Sequence, residues 1–253
     1  MLRLTFCGMG GLDVDAERRL WKMGVYCWDD FRRLRRAPFS ASRTRLILND
    51  LDEAERRLAL GRKGVRWFYA KTPPSQYCRL LVNFREIAVY FDVETTGLES
   101  DAQITTATFF DGVSFRTFTR GDNLNDAASY FSEIALMTTY NGTAFDAPLA
   151  RREWGGDWNG VHIDLRKTLN DWGIRGGLKR AAAVLGVERR EAPEISTGAE
   201  AAELWRRWTD FGDAESLDLL WRYNRDDVRT LAEIARILCD ESMSGNIFYR
   251  SFS

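Results

Sequence analysis

The run Ile87-Ala88-Val89-Tyr90-Phe91-Asp92-Val93-Glu94-Thr95-Thr96-Gly97 passes from five apolar residues to two carboxylates and then a glycine. Five consecutive apolar residues are too hydrophobic for a half-exposed strand and predict one buried on both faces. Asp92 and Glu94 stand at i and i+2, so on a strand both carboxylates point to the same face. Burying unpaired carboxylates is costly, and a hard divalent cation between them removes that cost. The threonines and Gly97 predict a tight turn past such a cation. D-x-E pairs arise by chance in many chains; the position directly after the apolar run gives this one weight.

Working outward, Leu80-Leu81-Val82 predicts a preceding strand. Ile104 to Phe110 and Val113 to Phe118 predict two more, joined by Asp111-Gly112, a strong hairpin signal. Asp126 to Ile134 reads as a helix and Ala135 to Tyr140 as another strand. Helices are expected at about 144–153, 164–171, 176–185, 198–210 and 214–239. Strands, then strand–helix alternation, then helices predict an α/β fold with a mixed sheet and helices packed on it.

Two further segments carry acidic residues where chemistry is plausible. Tyr140-Asn141-Gly142-Thr143-Ala144-Phe145-Asp146 runs from a strand end through a glycine turn to an aspartate at a helix start, where aspartate also serves as a common N-cap. Tyr223-Asn224-Arg225-Asp226-Asp227 lies inside a helical pattern, with Tyr223 and Asp227 on one face at i, i+4. Asp226, one residue off that face, is expected to face solvent.

The amino-terminal part is different in character. Gly8-Met9-Gly10 precedes a helix-like stretch from Asp15 to Met23 and a second from Trp28, a pattern similar to a helix-hairpin-helix element. Glycines there would let the backbone approach a phosphate. Residues 41–61 predict an amphipathic helix or helix pair, and Pro73-Pro74 closes the helical part. The domains are therefore expected at 1–78, helical, basic and nucleic-acid-binding, and at 79–253. The charge supports a division. Residues 1–85 hold 18 Lys+Arg and 9 Asp+Glu, a net of +9, and the rest carries -10, within a chain of 253 residues and formal charge -1. A basic segment beside an acidic one suits a polyanion partner next to a carboxylate-rich site.

Other classes are excluded by composition. With 45% hydrophobic residues the chain can bury a core and is not disordered. No apolar run approaches the ~20 residues that span a bilayer, so no membrane partner is expected, and Met1 to Phe6 is too short for a secretory signal. Four widely spaced cysteines without a C-x-x-C pair read as reduced thiols of a cytoplasmic protein. The single histidine, His162, makes a zinc site improbable. Trp154, Trp158 and Trp172 are candidates for stacking on bases, whereas Trp205, Trp208 and Trp221 read as core.

In the order D-x-E, N-x-x-x-F-D and Y-x-x-x-D, the three acidic segments resemble the exonuclease motifs of the DEDD, or DnaQ-like, superfamily on a ribonuclease H-like fold. Over nearly the whole chain the sequence is similar to the YprB-type branch of that group. The likeness lies in Tyr90 to Leu98, Asn141-Gly142 with Phe145-Asp146, His162-Ile163-Asp164-Leu165, Gly177-Leu178-Lys179 with Leu185-Gly186, and Tyr223 to Val228; the amino-terminal match is looser. The resemblance implies a metal-dependent 3′→5′ exonuclease with two divalent ions, Mg2+ or Mn2+, held by Asp92, Glu94, Asp146 and Asp227. Tyr223 takes the place of a histidine found in other members and completes the catalytic set. Thr95, Thr96, Gly97 and Leu98 would lie along the terminal nucleotide, and Asn141 would fix the turn or a phosphate. His162 and Asp164 would support the site, Asp164 through a metal or through His162. DNA is favoured over RNA, with a helicase partner and a role in DNA repair. Two alternatives stand beside this: a non-catalytic nucleic-acid-binding or helicase-recruiting module, and a structure-specific endonuclease on the same fold.

Overall fold

The computed structural model describes residues 1–243 apart from Leu98, Ser100, 156–157, 190–194 and Ser196, with backbone alone for 241–243. Five helices lead the chain: α1 (Val14–Lys22), α2 (Trp28–Arg32), α3 (Ala41–Ala59), α4 (Val65–Lys71) and α5 (Cys78–Phe84). The Asp13 carboxylate caps α1 by accepting from the Ala16 amide at 2.7 Å, and Ser40 caps α3. Residues 41–59 form one helix rather than a pair.

Leu80-Leu81-Val82, expected as a strand, lies within α5. A run of three apolar residues, two buried and Val82 half-buried, is too short to reveal its period, so pattern alone does not separate helix from strand. Leu80, Leu81 and Phe84 pack into the same apolar cluster as Phe6, Leu20, Trp28 and Phe68. Glu17 and Arg79 tie α1 to α5 by a buried ion pair of 2.8 Å, and Glu17 also accepts from the Phe6 and Cys7 amides at 2.6 and 3.0 Å.

The glycines of residues 8–10 serve packing inside the protein. Gly8 has φ +91°, and a Cβ there would stand 2.0 Å from the Lys71 carbonyl oxygen. The Gly10 amide donates to Asp50 at 2.8 Å, and a Cβ on Gly10 would strike Ile47. The close approach these glycines permit is thus to α3 and α4.

After α5 come β1 (Ala88–Thr95), β2 (Ile104–Phe110), β3 (Phe115–Thr119), α6 (Ala127–Glu133), β4 (Leu136–Thr139), α7 (Asp146–Trp154), β5 (Val161–Asp164), α8 (Leu165–Asp171), α9 (Leu178–Leu185), α10 (Gly198–Phe211) and α11 (Ala214–Met243). Among the described residues the sheet runs β3-β2-β1-β4-β5. β1 is central: it pairs antiparallel with β2 and parallel with β4, which in turn pairs parallel with β5. The Asp111-Gly112 hairpin forms as expected, with the Asp111 carboxylate accepting from the Val113 and Ser114 amides. β5 has no counterpart among the expected strands. Its four residues are too few to show a period of two.

Alternation along β1 sorts its side chains between two layers. Val89, Phe91 and Val93 face Phe109, Phe131 and Leu149 under α6 and α7. Ala88 and Tyr90 face α5 and the Leu231, Ile234 and Leu238 stripe of α11. The amino-terminal helices and this second face share one apolar cluster. No helix among the described residues is long and apolar enough to cross a membrane.

Candidate active site

Asp92 and Glu94 continue the β1 face that Ala88 and Tyr90 begin, so the apolar α11 layer gives way there to polar groups. The buried stripe of α11 includes Leu220, Tyr223, Asn224, Asp227, Val228 and Leu231, the i, i+3, i+4 spacing of a core face, with Asn224 and Asp227 set among apolar residues. Packing that stripe across β1 brings carboxylate oxygens of Asp92, Glu94 and Asp227 within 4.8 Å of one another. Asp146, at the first turn of α7, reaches back so that its Oδ1 accepts from the Val93 amide at 3.2 Å. Three elements therefore deliver four carboxylates to one place. A register shift between Glu94 and Thr95 bends β1 at the edge of this cluster.

Electrostatics in the cluster are unfavourable without a cation. Burial, then repulsion from Asp146, Asp227 and Glu94, pushes the Asp92 carboxyl well above its ordinary range, although the residue keeps some exposed surface. Glu94 is raised in the same way by burial and by Asp227 and Asp146. Asp146 is pushed up to about 7, chiefly by burial, and Asp227 is raised by burial despite the arginine beside it. An all-oxygen donor set carrying excess negative charge at this spacing fits a hard divalent cation.

Tyr223 lies one turn before Asp227, and burial next to Asp227, Glu94 and Asp92 pushes its phenol further above the usual range. His162 sits on β5 and shares a 2.7 Å hydrogen bond with the Thr139 hydroxyl; burial lowers its pKa to about 4, so it is neutral. Asp164 does not pair with His162. It caps α8 through the Arg166 amide and accepts from the Asn141 and Thr143 amides at 2.8 and 3.1 Å. That contact holds Asn141 at φ +64° in the turn leading to Asp146. Thr95 is buried, with its hydroxyl donating to the Gly97 carbonyl at 2.6 Å. Thr96 is exposed and braces the turn through Gln103. Leu98 lies outside the described residues. Trp154 and Trp158 pack on Phe131, with ring centroids 5.2 and 5.3 Å away, and so belong to the core.

Asp226 corrects the expectation of a solvent-facing residue. It is buried, and Arg189 Nε stands 3.4 Å from its carboxylate. Sequence reasoning also misses Asn224, whose Nδ2 donates to Asp92 Oδ2 at 2.7 Å. It misses Arg189, which pairs with Asp227, and Lys179, whose ammonium lies 4.7 Å from the centre of the Tyr223 ring. A polar Asn224 at a core-facing helix position is a usable signal; Arg189 carries none, since its partners lie about 40 residues away in sequence.

No curated protein matches the chain. A solved structure, the family B DNA polymerase from the hyperthermophilic archaeon Pyrobaculum calidifontis, is 21% identical with a TM-score of 0.47, over 60% of this chain and 24% of that one. The chain thus spans about a quarter of the polymerase. The family model of the RNase H superfamily matches residues 89–239, from β1 through α11 and more than half of the sequence. The chain belongs to the RNase H superfamily.

Proposed function

We infer that this chain is a metal-dependent nuclease, and specifically a DEDD-type 3′→5′ exonuclease that hydrolyses phosphodiester bonds, with DNA the favoured substrate. The observation that carries the reading is the convergence of Asp92, Glu94 and Asp227 within 4.8 Å, with Asp146 beside them and Tyr223 one helical turn from Asp227. Two divalent ions such as Mg2+ or Mn2+ would supply water activation at neutral pH and charge neutralisation at the leaving oxygen when bound there.

The protein's own groups prepare that chemistry. Asp92, Glu94, Asp146 and Asp227 would hold the ions, and the Asn224 hydrogen bond sets the Asp92 carboxylate in one orientation. Tyr223 stays protonated at neutral pH, so its hydroxyl orients an attacking water and does not serve as the base. Thr96 and Gly97, at the open rim of β1, would contact the terminal nucleotide. His162 and Asp164 support the strand ends and the Asn141 turn, without touching substrate.

The finer assignments of the YprB-type branch, a helicase partner and DNA repair rest on the sequence resemblance, and the cytoplasmic setting rests on the four widely spaced cysteines. Residues 1–78 would add affinity for the phosphate backbone through exposed arginines such as Arg35, Arg36 and Arg45. The test is Asp92→Ala. It is expected to abolish hydrolysis in Mn2+ while oligonucleotide binding stays measurable; wild-type turnover in that variant would remove Asp92 from the site.

A further inference from the structure

Arg189 occupies an unusual position. It projects from the chain three residues beyond Gly186, whose left-handed φ of +71° ends α9. Its side chain is 13% exposed. Nη1 pairs with Asp227, Nε stands 3.4 Å from Asp226, and the guanidinium lies 5.7 Å from the centre of the Tyr223 ring. Burial opposes the charge, yet the Asp227 carboxylate raises the arginine further above its ordinary range. Nη2, however, is buried and has no hydrogen-bond partner among the described residues. A buried, unsatisfied donor on a charged group is costly, which marks it as a group that functions with an additional acceptor.

We propose that Arg189 is a phosphate-binding residue held in reserve by Asp227: it releases the carboxylate when a divalent cation arrives and turns its fork onto a phosphate oxygen of the substrate. This rests on the metal-site reading above. A divalent ion and a guanidinium compete for the same carboxylate, and the ion carries the greater charge. Once displaced, the guanidinium needs a new anionic acceptor, and a phosphate matches its paired donors. The charges balance in that state. The four carboxylates Asp92, Glu94, Asp146 and Asp227 match the charge of two divalent ions, so the released Arg189 is one positive charge, which one phosphodiester neutralises. Lys179 is less suited to the role, because its ammonium already donates to the Ile195 carbonyl at 2.8 Å.

Two affinities measured on the full chain test this. One is Mn2+ binding to metal-stripped protein by calorimetry. The other is binding, in Ca2+, of a fluorescent single-stranded DNA with a phosphorothioate at its 3′ terminal linkage. Arg189→Met is expected to bind Mn2+ at least about fivefold more tightly, because a competitor is gone, and the oligonucleotide at least about fivefold more weakly. A merely structural arginine would move both affinities down or neither. Arg189→Lys keeps a cation beside Asp227, so Mn2+ affinity should stay near wild type while oligonucleotide affinity falls for want of the planar fork. The proposal is overturned if the two affinities of Arg189→Met do not move in opposite directions. Should that variant not fold, unchanged oligonucleotide affinity in Arg189→Lys overturns it. A wild type that binds Mn2+ no better than Asp92→Asn would instead remove the metal-site reading.

Discussion

Asp92 is oriented by a neighbour at one of the unassigned positions of the Y-x-x-x-D segment. Its carboxylate receives the Asn224 amide at 2.7 Å from the buried face of α11. Partners that orient metal-binding groups typically matter by 10–100-fold. Asn224→Leu is therefore expected to weaken Mn2+ binding by at least about tenfold, read by calorimetry, with little loss of secondary structure by circular dichroism. The carboxyl pKa values make a second prediction. Asp146, pushed up to about 7 in the folded protein, favours its protonated form there, against an ordinary value near 3.9 in the unfolded chain. Its contribution to stability is complete below about pH 4 and is lost as pH rises through about 7. Asp92 and Glu94 shift in the same direction. In EDTA the melting temperature should fall between pH 5 and pH 8, and Mn2+ should restore it most at pH 8. A metal-free melting temperature that rises across that range would contradict the stated environment of these groups.

At the scale of elements, β1 and α11 supply three of the site's four carboxylates, and both are legible in the sequence for a physical reason. Five apolar residues followed by D-x-E describe a strand that leaves the core at one end, and Tyr223 with Asp227 marks the facing helix. The less legible pieces are short or depend on distant partners. α5 is a seven-residue helix with apolar residues in sequence, and β5 has four residues. Buried Asp226 is met by Arg189, which lies just beyond α9. Pairings across such distances follow from the assembled fold and leave no local trace. The Glu17–Arg79 pair that joins α1 to α5 belongs to this class too. Breaking a buried pair strands a charge, at a cost of about 3–5 kcal/mol. Glu17→Ala should lower stability by that order in urea unfolding, whereas Arg206→Ala, on an exposed helix pair, should change it by less than about 1 kcal/mol.

The whole molecule joins a basic amino-terminal part to an acidic part that holds the carboxylate cluster, +9 for residues 1–85 against -10 for the rest. The expected boundary at 78/79 falls at the start of α5, and the helices before it share an apolar cluster with one face of the sheet. Deleting residues 1–78 would therefore strip away part of that shared apolar cluster and confuse binding with folding. Point changes are the cleaner probe. Replacing Arg35, Arg36 and Arg45 with Gln should weaken oligonucleotide binding. It should also make the slope of log affinity against log salt shallower by about 0.7 for each phosphate that the variant ceases to neutralise. An unchanged slope would place the nucleic acid elsewhere on the surface. The central claim, that the carboxylate cluster of the RNase H-like part removes nucleotides from a 3′ end with the help of divalent ions, is tested most directly by one assay. Single-stranded DNA labelled at its 5′ or its 3′ end is incubated with the protein in Mn2+ and in EDTA. The account predicts a descending ladder from the 5′-labelled strand, immediate release of labelled mononucleotide from the 3′-labelled strand, and neither in EDTA. Internal cuts without a ladder, or no cleavage with any divalent metal, would contradict it.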